Sequence, residues 1–85
     1  MAAYEIHIKK DAEKDLLSLP KADLKRVTKK IKKLAGLPRP IGCEKLQGEE
    51  GYRIRQGDYR IIYFVDDTEK MVRIIRIGNR KEVYR

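Results

Sequence analysis

Two layers, with two helices packed on one face of a small antiparallel sheet, make up the α+β fold that this 85-residue chain predicts. Three observations predict it. Residues 11–35 carry apolar side chains at helical spacing, residues 51–77 alternate with period two, and one short alternating segment precedes both. Two amphipathic helices can cover only one side of such a sheet, so the other side is left for polar residues. The element order is β-α-α-β-β-β in a single domain, residues 1–85.

Tyr4-Glu5-Ile6-His7-Ile8-Lys9 alternates as a first strand, with Tyr4, Ile6 and Ile8 on one face. Asp11 is placed to cap a helix, and Glu13 suits the positive end of its dipole. Ala12, Leu16 and Leu19 recur at helical spacing up to Pro20. The second helix shows Leu24, Val27, Ile31 and Leu34 on one stripe, with Gly36 just past its end. Its outer surface carries Lys21, Lys25, Arg26, Lys29, Lys30, Lys32 and Lys33. Leu37-Pro38-Arg39-Pro40-Ile41-Gly42 is a loop, because two prolines so close forbid regular structure.

From Gly51 the chain is β: Tyr52–Gln56, Tyr59–Val65 and Met71–Ile77, with Gly78 ending the last strand. A two-residue turn at Gly57-Asp58 sets Gln56 opposite Tyr59, Arg55 opposite Arg60, Ile54 opposite Ile61 and Tyr52 opposite Tyr63. One hairpin face is then apolar and aromatic, and the other carries Arg53, Arg55 and Arg60. Asp66-Asp67-Thr68-Glu69 turns into the last strand. A five-residue loop sets Arg76 opposite Arg60, whereas a four-residue loop flips the strand over, and both registers stay open.

The composition bounds function. A chain of this size removes about 60–65 % of its unfolded surface from water. It is 41 % hydrophobic and 40 % charged, with a net charge of +8, which favours polyanionic partners such as nucleic acid or an acidic protein. It holds no apolar run long enough to span a bilayer and no N-terminal signal pattern, and its single Cys43 excludes an internal disulfide. The chain reads as cytoplasmic. Cys43 lacks a neighbouring His or Asp motif and reads as a bystander thiol; His7 reads as structural.

The arginines carry the chemistry. Like charges directly opposite on adjacent strands destabilise a sheet by roughly a few tenths to 1 kcal/mol, so the Arg55–Arg60 pair calls for an anion. Arginine offers a planar fork of donors suited to phosphate. Several converging on a phosphodiester can stabilise a pentacoordinate transition state, each donor being worth about 10²–10³ in rate. With no paired carboxylates, His pair or acidic metal cluster in view, metal-dependent hydrolysis is disfavoured and no cofactor is expected. RNA keeps a metal-free route, attack by its own 2′-OH. A solvated strand face, neutralised by Asp or Glu, is the plain alternative.

Leu46-Gln47-Gly48, Tyr52-Arg53-Ile54-Arg55, Gly57 to Tyr63 and Ile75-Arg76-Ile77-Gly78-Asn79-Arg80-Lys81-Glu82-Val83-Tyr84 together resemble the RelE branch of the RelE/ParE toxin superfamily. The resemblance implies a RelE/ParE-like fold and the toxin of a type II toxin–antitoxin pair. Such a toxin enters the ribosomal A site and cuts mRNA there, without metal, by 2′-OH attack. By position, Arg53 and Arg55 match two basic residues of the first active-site strand, which are lysines in the best-studied branch. Arg60 matches the arginine on the scissile phosphate, Arg80 the one that stabilises charge or protonates the leaving 5′ oxygen, and Tyr84 the tyrosine that orients the nucleotide. Arg76, Lys81 and the helix lysines Lys25, Lys29, Lys32 and Lys33 would meet RNA phosphates, though the lysine stripe equally suits a solvated helix face.

Two departures stand out. Arginine stays protonated at ordinary pH, so Arg53 and Arg55 are poor bases. Asn79 occupies a position where many relatives carry histidine. Proton transfer by a placed group is worth about 10²–10⁴ in rate. The resemblance thus implies an endonuclease that is slow or that borrows an rRNA group. The expected partners are a cognate antitoxin, the ribosome and mRNA. Two competing readings remain: a ParE-like toxin that poisons DNA gyrase, and a non-catalytic ribosome- or RNA-binding relative.

Overall fold

The computed structural model describes residues 3–46 and 51–79. Its elements are β1 (Glu5–Ile8), α1 (Lys10–Leu17), α2 (Lys21–Lys33), β2 (Glu44–Lys45), β3 (Gly51–Gln56), β4 (Tyr59–Asp66) and β5 (Met71–Asn79). They form a five-stranded sheet in the order β1-β5-β4-β3-β2, covered on one face by the two helices. The β3–β4–β5 meander is antiparallel, while β1 runs parallel to β5.

Between the layers lie Ala12 and Leu16 of α1, Val27 and Ile31 of α2, Leu34 just past it, and Ile54, Ile61, Tyr63, Val65, Val72, Ile74 and Ile77 of the sheet. The apolar stripe expected on the second helix is therefore the buried one. Tyr63 has no solvent exposure, stacks on Tyr52 at 5.8 Å and donates its hydroxyl hydrogen to the Pro38 carbonyl at 2.7 Å. Burial pushes the Tyr63 hydroxyl well above its usual range. That bond holds the proline loop against the sheet.

The first hairpin has the expected register at every pair from Tyr52↔Tyr63 to Gln56↔Tyr59. Gly57 has φ +63°, the left-handed region that the first position of a II′ hairpin turn requires and that glycine enters without strain.

The second hairpin takes the four-residue loop and then departs from both registers left open. Four residues connect Asp66 to Met71, and a β-bulge then shifts the pairing from Tyr63↔Ile74 to Ile62↔Arg76. The cause is legible in side-chain parity. Val72, Ile74 and Ile77 all enter the core, yet Ile77 has the wrong parity for a regular strand, and one extra residue at Ile75 restores it. The bulge sets Gly78, not Arg76, opposite Arg60, and the strand runs on to Asn79 rather than ending at Gly78.

Other details also differ from the sequence reading. The first helix begins at Lys10 with Lys9 as its N-cap, so Asp11 lies in the first turn instead of capping it. The two-residue strand β2 was not foreseen; Glu44 pairs with Arg53 and Lys45 with Tyr52. His7, read as structural, hydrogen-bonds the Glu5 carboxylate at 2.7 Å. No helix among the described residues is long and apolar enough to cross a membrane.

Candidate functional site

Alternation along β3 and β4 turns Ile54, Ile61 and Tyr63 under the helices, which sends Arg53, Arg55 and Arg60 to the opposite face. Arg55 and Arg60 are direct cross-strand partners. Their environments differ. Arg55 is exposed, whereas Arg60 is 3 % exposed and is the buried charged side chain among the described residues. Burying a guanidinium is costly unless it is compensated. Arg60 is thereby the cation most shielded from solvent of the three.

Arg53 meets a counter-charge that the sequence reading did not identify. The β2–β3 pairing sets Glu44 beside it, and its Nε and Nη2 donate to Glu44 Oε1 at 3.1 and 2.8 Å. The hydrogen bonds and charge of Arg53, with the charges of Arg55 and Arg60 beyond, hold the Glu44 carboxyl below the usual carboxylate range. The Glu44 carboxylate thus feels the charge of all three arginines, that of Arg53 most. The signal for Glu44 was present in the unbalanced arginine face, whose nearest upstream acids are Glu44, Glu49 and Glu50. A two-residue strand carries too little periodicity to choose among them.

The other expected RNA contacts are placed apart. Arg76 bonds Asp15 of α1, with Nε to Oδ2 at 2.8 Å, and the same Oδ2 accepts the Ile77 backbone N–H at 2.9 Å. That carboxylate ties α1 to the end of β5 and engages the charge of Arg76. Lys25, Lys29, Lys32 and Lys33 are exposed on α2, in the layer on the other side of the sheet from the arginines. Lys25, Lys29 and Lys32 flank a shallow groove of about 700 Å³ that Leu24 and Thr28 also line. Arg80, Lys81 and Tyr84 lie outside the described residues.

A second cleft, about 480 Å³, opens at the far end of β4, where Arg39, Phe64, Asp66, Asp67 and Arg73 line it. Arg39 there donates to the Tyr52 hydroxyl at 2.8 Å and to both oxygens of Asp67, which also accepts the Tyr4 hydroxyl hydrogen at 2.6 Å. Arg39 first, and Tyr4 after it, bring the Asp67 carboxyl down to about 2. This network joins β1, the proline loop, β3 and the β4–β5 turn.

Chemically, the arginine face can hold a phosphodiester and spread the charge of a pentacoordinate transition state over three guanidiniums. A carboxylate stands beside them.

A family model described as the ParE toxin of type II toxin–antitoxin systems, parDE, matches residues 6–84. The chain is 34 % identical to the toxin RelE of Mycobacterium tuberculosis, over 96 % of this chain and 87 % of that protein. Among solved structures, a chain of the archaeal RelE–RelB complex from Pyrococcus horikoshii OT3 has a TM-score of 0.84 and 35 % identity, covering 96 % of this chain and 99 % of that one. The isolated E. coli RelE toxin has a TM-score of 0.81 and 30 % identity, covering 96 % of this chain and 92 % of that one.

Proposed function

The chain belongs to the ParE toxin family of type II toxin–antitoxin systems, in its RelE branch, and on that premise we propose that it is a ribosome-dependent mRNA endoribonuclease. The observation that carries the reading is the facing pair Arg55 and Arg60, with Arg60 buried. A sheet that opposes two guanidiniums is suited to an anion between them. In an mRNA held in the A site, that anion is the scissile phosphate.

Arg60 grips a non-bridging oxygen, and Arg53 and Arg55 neutralise the charge that builds as the 2′ oxygen attacks phosphorus. The P–O5′ bond breaks, giving a 2′,3′-cyclic phosphate and a 5′-hydroxyl. Arg80 adds charge near the leaving oxygen and Tyr84 orients the nucleotide. The α2 lysines contribute at most a general attraction to RNA, since they face away from the arginines, while Lys81 supplies a contact to RNA phosphate. The cognate partner is a RelB-type antitoxin, as in the RelE–RelB complex of the archaeal neighbour. An acidic segment of it neutralises the arginine face.

The ParE name of the matching family favours a second reading, a gyrase poison. Induced expression separates the two. The nuclease reading expects growth arrest with mRNA cut inside codons, lost in Arg60→Ala. DNA breaks with intact mRNA would support the gyrase reading instead.

A further inference from the structure

The three arginines can hold a phosphate, but none can take a proton from the 2′-OH. The carboxylate beside them can. We infer that Glu44 is the general base of this site, removing the 2′-OH proton through Oε2; the inference rests on the nuclease reading above.

Three features of the geometry carry it. The β2–β3 register sets Glu44 opposite Arg53, so its side chain shares the face of Arg53, Arg55 and Arg60. Arg53 donates to Oε1 from both Nε and Nη2, and Oε2 accepts none among the described residues. One oxygen is therefore anchored while the other is available. Accessibility matches this division: the Arg53 side chain is 15 % exposed and that of Glu44 52 %, so a clamped cation holds a carboxylate that substrate can reach.

Other described carboxylates are badly placed for the task. Asp15 is committed to Arg76 and the Ile77 N–H, and Asp23 accepts from the Tyr59 hydroxyl on the helix side. Asp67 is locked to Arg39 at the far end of β4. Asp58 lies in the hairpin turn, at the end of β3 and β4 beyond Arg55 and Arg60 and away from Arg53. His7 is on β1, at the edge of the sheet opposite β2.

The arrangement also couples base strength to substrate. In the free protein the arginines hold the Glu44 carboxyl low, which makes it a weak base. A bound phosphodiester neutralises part of that positive field, and the carboxylate regains basicity as the phosphate arrives. Glu44 Oε2 takes the 2′-OH proton as the 2′ oxygen forms its bond to phosphorus. The 5′ oxygen leaves and takes a proton from solvent, and Glu44 returns its proton to solvent. Proton count is unchanged over the cycle.

Single-turnover cleavage of mRNA on ribosomes with an empty A site tests this, using the wild-type protein, Glu44→Gln, Glu44→Asp and Arg60→Ala. Glu44→Gln is expected to lower the rate by about 10²–10⁴ while ribosome binding is retained. Its residual rate should rise in proportion to hydroxide, because solvent must then deprotonate the 2′-OH, whereas the wild-type rate is level across neutral pH. Glu44→Asp, which keeps the carboxylate, should recover part of the rate and the level profile, and it decides the matter if the glutamine variant fails to fold. A Glu44→Gln rate equal to wild type, or faster because a competitor for Arg53 has gone, would overturn the assignment and leave the nuclease reading intact. Uncut mRNA with the wild-type protein would remove the nuclease reading and the inference together.

Discussion

Arg55 and Arg60 oppose one another across β3 and β4, one exposed and the other buried to 3 %. Like charges placed opposite one another weaken a sheet, and on the proposed reading an anion between them offsets that cost. Stability and function are therefore set against each other at this pair.

Replacing Arg55 with glutamine should raise folding stability by about 0.2–1 kcal/mol, measured by urea denaturation at low salt. The gain should shrink as salt screens the repulsion. Cleavage should fall in the same variant. A loss of stability would show that the pair is already neutralised within the folded chain.

Arg60→Lys keeps the charge but loses the planar fork. A rate loss of about 10²–10³ is expected in single-turnover cleavage, with ribosome binding little changed. Retention of full rate would take Arg60 out of the transition state.

Asp15→Ala removes the acceptor of both the Arg76 guanidinium and the Ile77 N–H. The backbone donor is then left without its carboxylate, at a cost of about 1–3 kcal/mol in thermal or chemical denaturation. Amide exchange should quicken at Ile77 before it does at Ile61, on the central strand.

The Asp67 carboxyl has an ordinary value of 3.8 and is held at about 2 in the fold. A depressed carboxyl contributes stability that is complete above its unfolded value and is lost as pH falls through the folded one. Asp67→Asn should therefore be less stable than wild type near neutrality. The gap should close as pH falls from about 4 to about 2, followed by thermal melts. A gap independent of pH would mean that the Arg39–Asp67 contact contributes nothing through charge.

The hairpin carrying the site was readable because one glycine turn and strict alternation determine both register and face. Where alternation breaks, reading failed. Ile74 and Ile75 are adjacent and apolar, and only packing decides which enters the core, so the bulge and the Gly78–Arg60 pairing emerged from the structure. Glu44 was missed because two residues make no periodic pattern. The burial of Arg60 was also hidden, since alternation assigns a face without saying how deeply a side chain sits there. The α2 lysines show the converse case: their helical stripe was plain, but the layer it belongs to places it away from the arginines.

The most direct test is mRNA integrity on purified ribosomes programmed with an empty A site, compared with the same mRNA free in solution. A ribosome-dependent nuclease should cut inside the A-site codon only in the programmed complex, leaving a 2′,3′-cyclic phosphate, and should make no cut when the attacking 2′-OH is replaced by hydrogen. Intact mRNA on ribosomes that demonstrably bind the protein would contradict it.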